Sequence, residues 1–484
     1  MRRKDDSIKS IEKSESEKRL IRGIDFDSKK ERSRYTISGS PEKARKILIK
    51  SASFAITIDE NNRLKVLPDC SIYIVDGKIK EVFKAGKKSI PIKETDIIYD
   101  ASKRGGIVVT PGFINAHAHP PMYMLRSSMS LDIGDIRNQT KEMARLESKM
   151  IERDFYLGAV GDFAEQQKNG ITTTLSHYAT FEPIDKAAEL TRQNVINAVS
   201  AVSNSHPENT PEMVEKILKK KDKYFSKPAI SIHYLHKANK EQIMKIKELV
   251  KKHKILFTLH AAENEEWVQM CVKKFGKRTV EVLEEMGLAG PSVIISHAVH
   301  FSDKEIELVK KYKIGIVHLP TSNKLHKSGE FKFKNFVDAG AQDRICLGTD
   351  SVVSKNSLDL LSEALQTRIM HLDKYRVSFE QLFKMMTSQA AEILNLGKVG
   401  KILPGYRADL AFWKLKDKGF MPYNKKKPET LVGNMITHGG RNIRDLMING
   451  KFIISNRRHN LINESKLLAQ LQEAHNNLCE RIGE

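Results

Sequence analysis

The chain has 484 residues, 40% of them hydrophobic, and a formal net charge of +22, enough apolar material for a large core. Its lysines are dispersed, as in Lys219-Lys220-Lys221, Lys251-Lys252 and Lys310-Lys311. They read as solvated helix faces rather than a nucleic-acid groove, and no RNA-recognition or zinc-finger pattern accompanies them. Cys70, Cys271, Cys346 and Cys479 form no C-x-x-C pair, no apolar run reaches the roughly 20 residues that cross a bilayer, and no signal-peptide core is present. A disulfide scaffold and a membrane protein are disfavoured, and a cytoplasmic protein is expected.

Residues 1–43 mix charged residues and serine, with few large apolar side chains, and read as a mobile extension without a core of its own. From Ile47 the pattern turns β. Ile47–Ile58 and Cys70–Phe83 alternate apolar and polar residues, and Asp76-Gly77 suits a tight hairpin turn. A similar hairpin, Leu446–Ile454, folds back at Asn449-Gly450, and Gly405–Trp413 is another turn followed by a strand. Residues 44–109 and 402–457 are therefore expected to form one small β-domain from both chain ends, with 458–484 a helical tail.

Between them, in 110–401, short apolar strands alternate with amphipathic helices. Strands centre on Phe113–His117, Thr172–His177, Val195–Val202, Ala229–Tyr234, Ile255–His260, Val293–His297, Gly315–Leu319 and Arg344–Thr349. Helices are expected at Asp154–Lys168, Pro211–Phe225, Lys240–Lys252, Asp303–Tyr312 and Leu358–His371. This rhythm predicts an α/β fold, a (β/α)8 barrel of the TIM type. A doubly wound open sheet is the alternative, but no G-x-G-x-x-G follows the first strand.

Polar residues fall where such a barrel has its active site, at the C-terminal ends of strands. His117 and His119 share one face of the first strand. His233 lies on the fourth, His260 ends the fifth with Glu263 three residues on, His297 ends the sixth, His318 the seventh and Asp350 the eighth. His177, ending the second, reads as structural or substrate-facing, and His236 and His300 as loop residues. His233 and His318 have the alternative of being ordinary buried, hydrogen-bonded histidines. His117, His119, His260 and Asp350 together suit one divalent metal, Zn2+ first and Fe2+ second, with a position open for water. Such a metal makes hydroxide available near neutral pH. Asp350 can also take the water's proton, Glu263 can shuttle protons to the substrate, and His297 can orient the nucleophile. A second-metal role for His297 is less favoured, because the fourth strand offers His233, and Lys237 lies beyond its end.

The segments VTPGFINAHAH, LHAAEN, SHAVH, LPTSN, LGTDS and KVGKILPGYRADLAFW resemble the amidohydrolase superfamily, in its branch of metal-dependent deaminases and triazine-type hydrolases. That branch includes S-adenosylhomocysteine/methylthioadenosine deaminases, guanine deaminases and atrazine chlorohydrolases. The resemblance implies His117, His119, His260 and Asp350 as ligands, Glu263, His297 and Asp350 in catalysis, and a β-sandwich built from both chain ends. His233, Arg126 and Asn323 are the expected substrate contacts. It further implies a small-molecule heterocyclic substrate, attack by a metal-bound hydroxide, and a homodimer or homotetramer. Dechlorination, dealkylamination or cyclic amide hydrolysis on the same site is the alternative, and a non-enzymatic nucleic-acid-binding scaffold a weaker one. Two segments depart from the branch: 126–150, which lacks its tryptophan, and the basic loop 324–336.

Overall fold

In the computed structural model the described residues are 35–37, 45–88, 90, 95–126, 128, 136–203, 206–355 and 357–483. Most of the charged extension, residues 127 and 129–135 of the first atypical loop, and Asn356 fall outside them. Tyr35–Ile37 forms a strand antiparallel to Ile97–Asp100, so the extension contributes an edge strand rather than remaining wholly separate.

Eight parallel strands follow one another around a sheet in chain order: Phe113–Ala118, Ile171–Tyr178, Asn194–Ser200, Lys227–Tyr234, Phe257–Ala261, Val293–His297, Gly315–His318 and Ile345–Leu347. We call these the first to eighth barrel strands. Ala118 bridges Asp350 in parallel, and the amides of Thr349 and Asp350 donate to the His117 carbonyl at 3.2 and 3.1 Å. The eighth strand's end is thereby returned to the first. This closure excludes the open doubly wound sheet. A Cβ on Gly348 would sit 2.9 Å from His117 Cβ, so the seam needs glycine there. Buried Asn115 ties it further, its Nδ2 donating to Thr349 Oγ1 (2.8 Å) and its Oδ1 accepting from the Thr349 amide (2.9 Å).

Helices fall where the apolar periodicity puts them: Glu152–Lys168, Lys240–His253, Asp303–Tyr312 and Leu360–His371. One expectation is corrected. The helix from Pro211, capped by Thr210, stops at Leu218 instead of Phe225. Leu218 is its last buried residue, and Lys219–Lys223 offers nothing apolar to bury.

The second sheet is mixed and ten-stranded. Ile107–Pro111 lies at its centre, pairing in parallel with Lys46–Ile58 and antiparallel with Leu410–Lys414. Leu64–Val75 and Lys78–Lys84 extend one side. The strand read from Cys70 begins six residues earlier, because Leu64–Leu67 continue the pairing with Ala55–Ile58. Ile443–Ile448 and Lys451–Ser455 complete the other side. Both hairpins turn through left-handed pairs: φ is 49° and 73° at Asp76 and Gly77, and 51° and 74° at Asn449 and Gly450. The two turns abut, since a Cβ on Gly450 would lie 2.7 Å from Gly77 Cα.

Outside both sheets, helix Glu464–Ile482 buries Leu467, Leu471, Ala474 and Leu478 against Glu152–Lys168. His475 Nδ1 donates to the Met124 carbonyl (2.9 Å), just after His119. Among the described residues no helix is long and apolar enough to cross a membrane, and the four cysteines are free.

Candidate active site

Apolar strand sequences deliver their terminal histidines to one end of the barrel. His117 and His119 come from the first strand, and His260 arrives from the fifth. Their Nε2 atoms converge: His117 to His119 is 3.1 Å, and His117 to His260 is 3.1 Å. Asp350 Oδ1 completes the group, 3.4 Å from His119 Nε2 and 4.0 Å from His117 Nε2. The opposite ring nitrogens are occupied. His119 Nδ1 donates to the His177 carbonyl (2.6 Å), and His260 Nδ1 to the His233 carbonyl (3.0 Å). His117 Nδ1 lies 2.9 Å from Ser296 Oγ. With Nδ1 protonated, three Nε2 lone pairs and a carboxylate face one another in a buried space. Such an arrangement is repulsive unless a cation sits between them, so these residues fit a metal.

Burial holds His117, His119 and His260 neutral by pulling their pKa values down. Burial pushes the Asp350 carboxyl up, but His119, His297 and the Ser322 hydroxyl outweigh it, so its pKa is lowered. Ser322 Oγ donates to Asp350 Oδ2 (2.6 Å). The backbone is left-handed at Asp350 (φ 60°) and at His297 (φ 73°), uncommon for non-glycine residues. Strain of this kind persists where surrounding contacts fix it, and here it aims both side chains into the site.

A cavity of about 270 Å³ opens above these groups. Glu263 and His297 face it, with His297 Nε2 3.7 Å from Glu263 Oε2. The Tyr234 hydroxyl donates to Glu263 Oε2. His297 Nδ1 is engaged by Asn323 Oδ1 at 2.8 Å. His233 also lines the cavity.

Two expected substrate contacts sit elsewhere. Asn323 is buried behind His297 and does not line the cavity. Arg126 does not line it either: its guanidinium bonds Glu165 (2.6 Å) and the Tyr123 hydroxyl (3.0 Å) and lies over the Tyr123 ring. A half-exposed carboxylate in direct charge-assisted contact fixes it there. His318 pairs with His371 (Nε2 to Nε2 3.2 Å) against Phe331, away from the cavity.

The cavity wall holds further residues, among them His177, read from the sequence as structural or substrate-facing. His177 lies close enough to His117 and His260 that one ring nitrogen of each falls within 4.8 Å of the others. Its Nδ1 is buried without a hydrogen-bond partner among the described residues. Its place at the tip of an apolar strand, like that of the other histidines, was the available signal. Glu147, Tyr234, Lys237 and His326 line the walls. Glu147 accepts from the Tyr178 hydroxyl, and burial pushes its pKa up to about 7. No motif marks these four.

A (β/α)8 barrel whose strand ends gather imidazoles and a carboxylate around one point, beneath a cavity, has the form of a metal-dependent hydrolase. The amidohydrolase family model matches residues 108–453, and the chain belongs to that family and is a hydrolase of carbon–nitrogen bonds. A relative named 5-methylthioadenosine/S-adenosylhomocysteine deaminase, from Pyrococcus furiosus, is 28% identical over 411 residues, covering 82% of this chain and 93% of its own. Two solved structures share the fold. An adenosine deaminase from Xanthomonas campestris with bound zinc superposes with a TM-score of 0.79 at 20% identity, over 89% of this chain and 98% of its own. Atrazine chlorohydrolase from Arthrobacter aurescens, complexed with zinc, gives 0.78 at 19%, over 89% and 100%.

Proposed function

We propose that this hydrolase deaminates an amino-substituted nitrogen heterocycle, and that the substrate is an adenine nucleoside derivative. In this reading His117, His119, His260 and Asp350 hold one divalent metal, zinc before iron(II). When bound, the metal acidifies a water so that hydroxide is available near neutral pH. Asp350 accepts the proton given up by the water. Glu263 protonates the ring nitrogen beside the amino-bearing carbon, takes back the proton that the added hydroxyl loses as it becomes a carbonyl, and the proton held by Asp350 goes to the departing amino group. Water's oxygen stays on the ring as a carbonyl, and ammonia leaves. His297 orients the oxygen and opposes the charge that develops on it. His233 contacts the substrate. Asn323 acts through His297, and Arg126, held by Glu165 away from the cavity, is given no part in the reaction.

The observation that carries this reading is Glu263: a carboxylate facing the cavity, held by Tyr234 and 3.7 Å from His297 Nε2, beside the candidate ligand set. Its support outside the chain is the deaminase named among the relatives. Ammonia release should be measured from metal-loaded protein given purines, pyrimidines, pterins and adenosine derivatives. Release from an adenine nucleoside is expected, with a product one mass unit heavier. Silence across the panel, or a product that keeps its amino nitrogen, overturns the reading.

The same reading makes the protein a cytoplasmic homodimer or homotetramer, to be checked by light scattering and fractionation. It treats 44–109 with 402–457 as one domain, 110–401 as the barrel, 1–43 as an extension and 458–484 as a tail. Limited proteolysis should cut first between these units.

A further inference from the structure

Lys237 is a cation the proposed reaction does not use. It lies past the end of the fourth barrel strand, in a single turn of helix, Leu235–Lys237, and lines the cavity beside His233. Its ammonium is 3.2 Å from His233 Nδ1 and 5.7 Å from the centre of the Tyr234 ring. No carboxylate lies within 4.0 Å of it among the described residues. The carboxylates of the cavity are engaged elsewhere: Glu147 by Tyr178, Glu263 by Tyr234, and Asp350 by Ser322 and the histidines.

Several other half-buried basic side chains are paired with an acid. Arg126 has Glu165, Arg278 has Glu305 and Lys384 has Glu380, and fully buried Lys355 has Glu363. Lys237 therefore bears a desolvation cost that no acid of this chain offsets, and burial draws its pKa down accordingly. An anion brought in by a ligand would offset it. The neighbouring wall, past the end of the third strand, includes Ser203 and His206. Asp350 and Glu263 mark where the reacting ring sits, so the group that meets Lys237 belongs to the ring's substituent.

We propose that Lys237 is a specificity-determining residue that binds an anionic group, a carboxylate or a phosphate, on the substituent of the heterocyclic substrate. This rests on the deaminase reading and deepens it. The assignment differs from simple support of His233, which would affect charged and neutral substrates alike.

The test compares an adenine nucleoside with an uncharged 5′ substituent against analogues ending there in a carboxylate or a phosphate. Kinetics and calorimetric binding are measured on metal-loaded wild type, Lys237→Met and Lys237→Arg. The wild type should favour one anionic analogue, and whether carboxylate or phosphate wins identifies the source. Lys237→Met should cut the anionic-to-neutral ratio of kcat/KM, and of affinity, roughly 10- to 100-fold, the loss of one charge-assisted hydrogen bond. The change should fall mainly on KM, and Lys237→Arg should restore most of the ratio. An equal loss for charged and neutral substrates, or no anion preference in the wild type, overturns the assignment. Anion-selective binding without ammonia release would sink the deaminase reading and leave Lys237 standing. Failure of every analogue to bind would sink both.

Discussion

In the proposed reaction Glu263 is the residue on which the chemistry turns, and it has the most direct test. Glu263→Gln keeps the size and the contact with Tyr234 but cannot shuttle a proton. Its kcat should fall 10²- to 10⁴-fold while metal content, read by elemental analysis, stays that of the wild type. Asn323→Ala should cost about 10- to 100-fold in kcat, because His297 loses the Asn323 Oδ1 that orients its ring. A KM change without a kcat change would argue against that positioning role. The candidate ligands and Glu263 stood out in the sequence because the histidines lie at or just past the ends of apolar strands and Glu263 follows His260 by three residues. Arg126 shows what was not legible. The residue that captures a loop arginine, here Glu165 on a helix distant in sequence, is decided only when the helix packs. His326 lies in the atypical loop 324–336 and Lys237 just past the fourth strand, but nothing in their local sequence says that these side chains, and not their neighbours, reach the cavity.

Among elements, the seam between the first and eighth strands carries barrel closure and, in the proposed site, two or more of the metal ligands. Gly348→Ala would press a Cβ to 2.9 Å from His117 Cβ, Leu319 Cδ2 and Val317 Cγ1. Overpacking of this kind costs about 1–3 kcal/mol. It should appear in calorimetry as a lower Tm and in chelator competition as weaker metal retention, because His117 is the atom group displaced. Removing the metal should itself lower Tm, and zinc should restore it. An unchanged Tm after verified metal removal would count against the ligand set. The eight strands were readable because buried parallel strands are short, apolar and regularly spaced by helices. The end of the Pro211 helix and the start of the strand at Leu64 were not. Both are set by which neighbour is available for burial or pairing, and alternation within the segment does not record that.

At the scale of the whole molecule, acid should weaken the fold by a route separate from the active site. His459 is buried: its Nε2 donates to Gln167 Oε1 (2.6 Å) and its Nδ1 accepts from the Leu461 amide (3.2 Å). The second contact requires a neutral ring, since an imidazolium has no lone pair to accept with, and burial pulls the pKa of His459 down to about 4, as it does for His371. In the unfolded chain each takes a proton near pH 6.5. Stability should therefore fall as pH drops from about 6.5 to about 4 and then level off for these two groups, by up to about 3 kcal/mol each. Calorimetry across that range should show the decline, and His459→Gln should make it shallower. The arrangement of the second sheet has a different consequence, one of timing. Ile107–Pro111 lies between a strand from the N-terminal side and Leu410–Lys414 from far down the chain. While the protein is being made, the ribosome releases the first strands long before their last partner exists. Pulse proteolysis of stalled chains should find the first strands cleavable until the partner strand emerges. Until then the nascent chain carries an apolar strand edge that only a chaperone, or the barrel folding beside it, can shield.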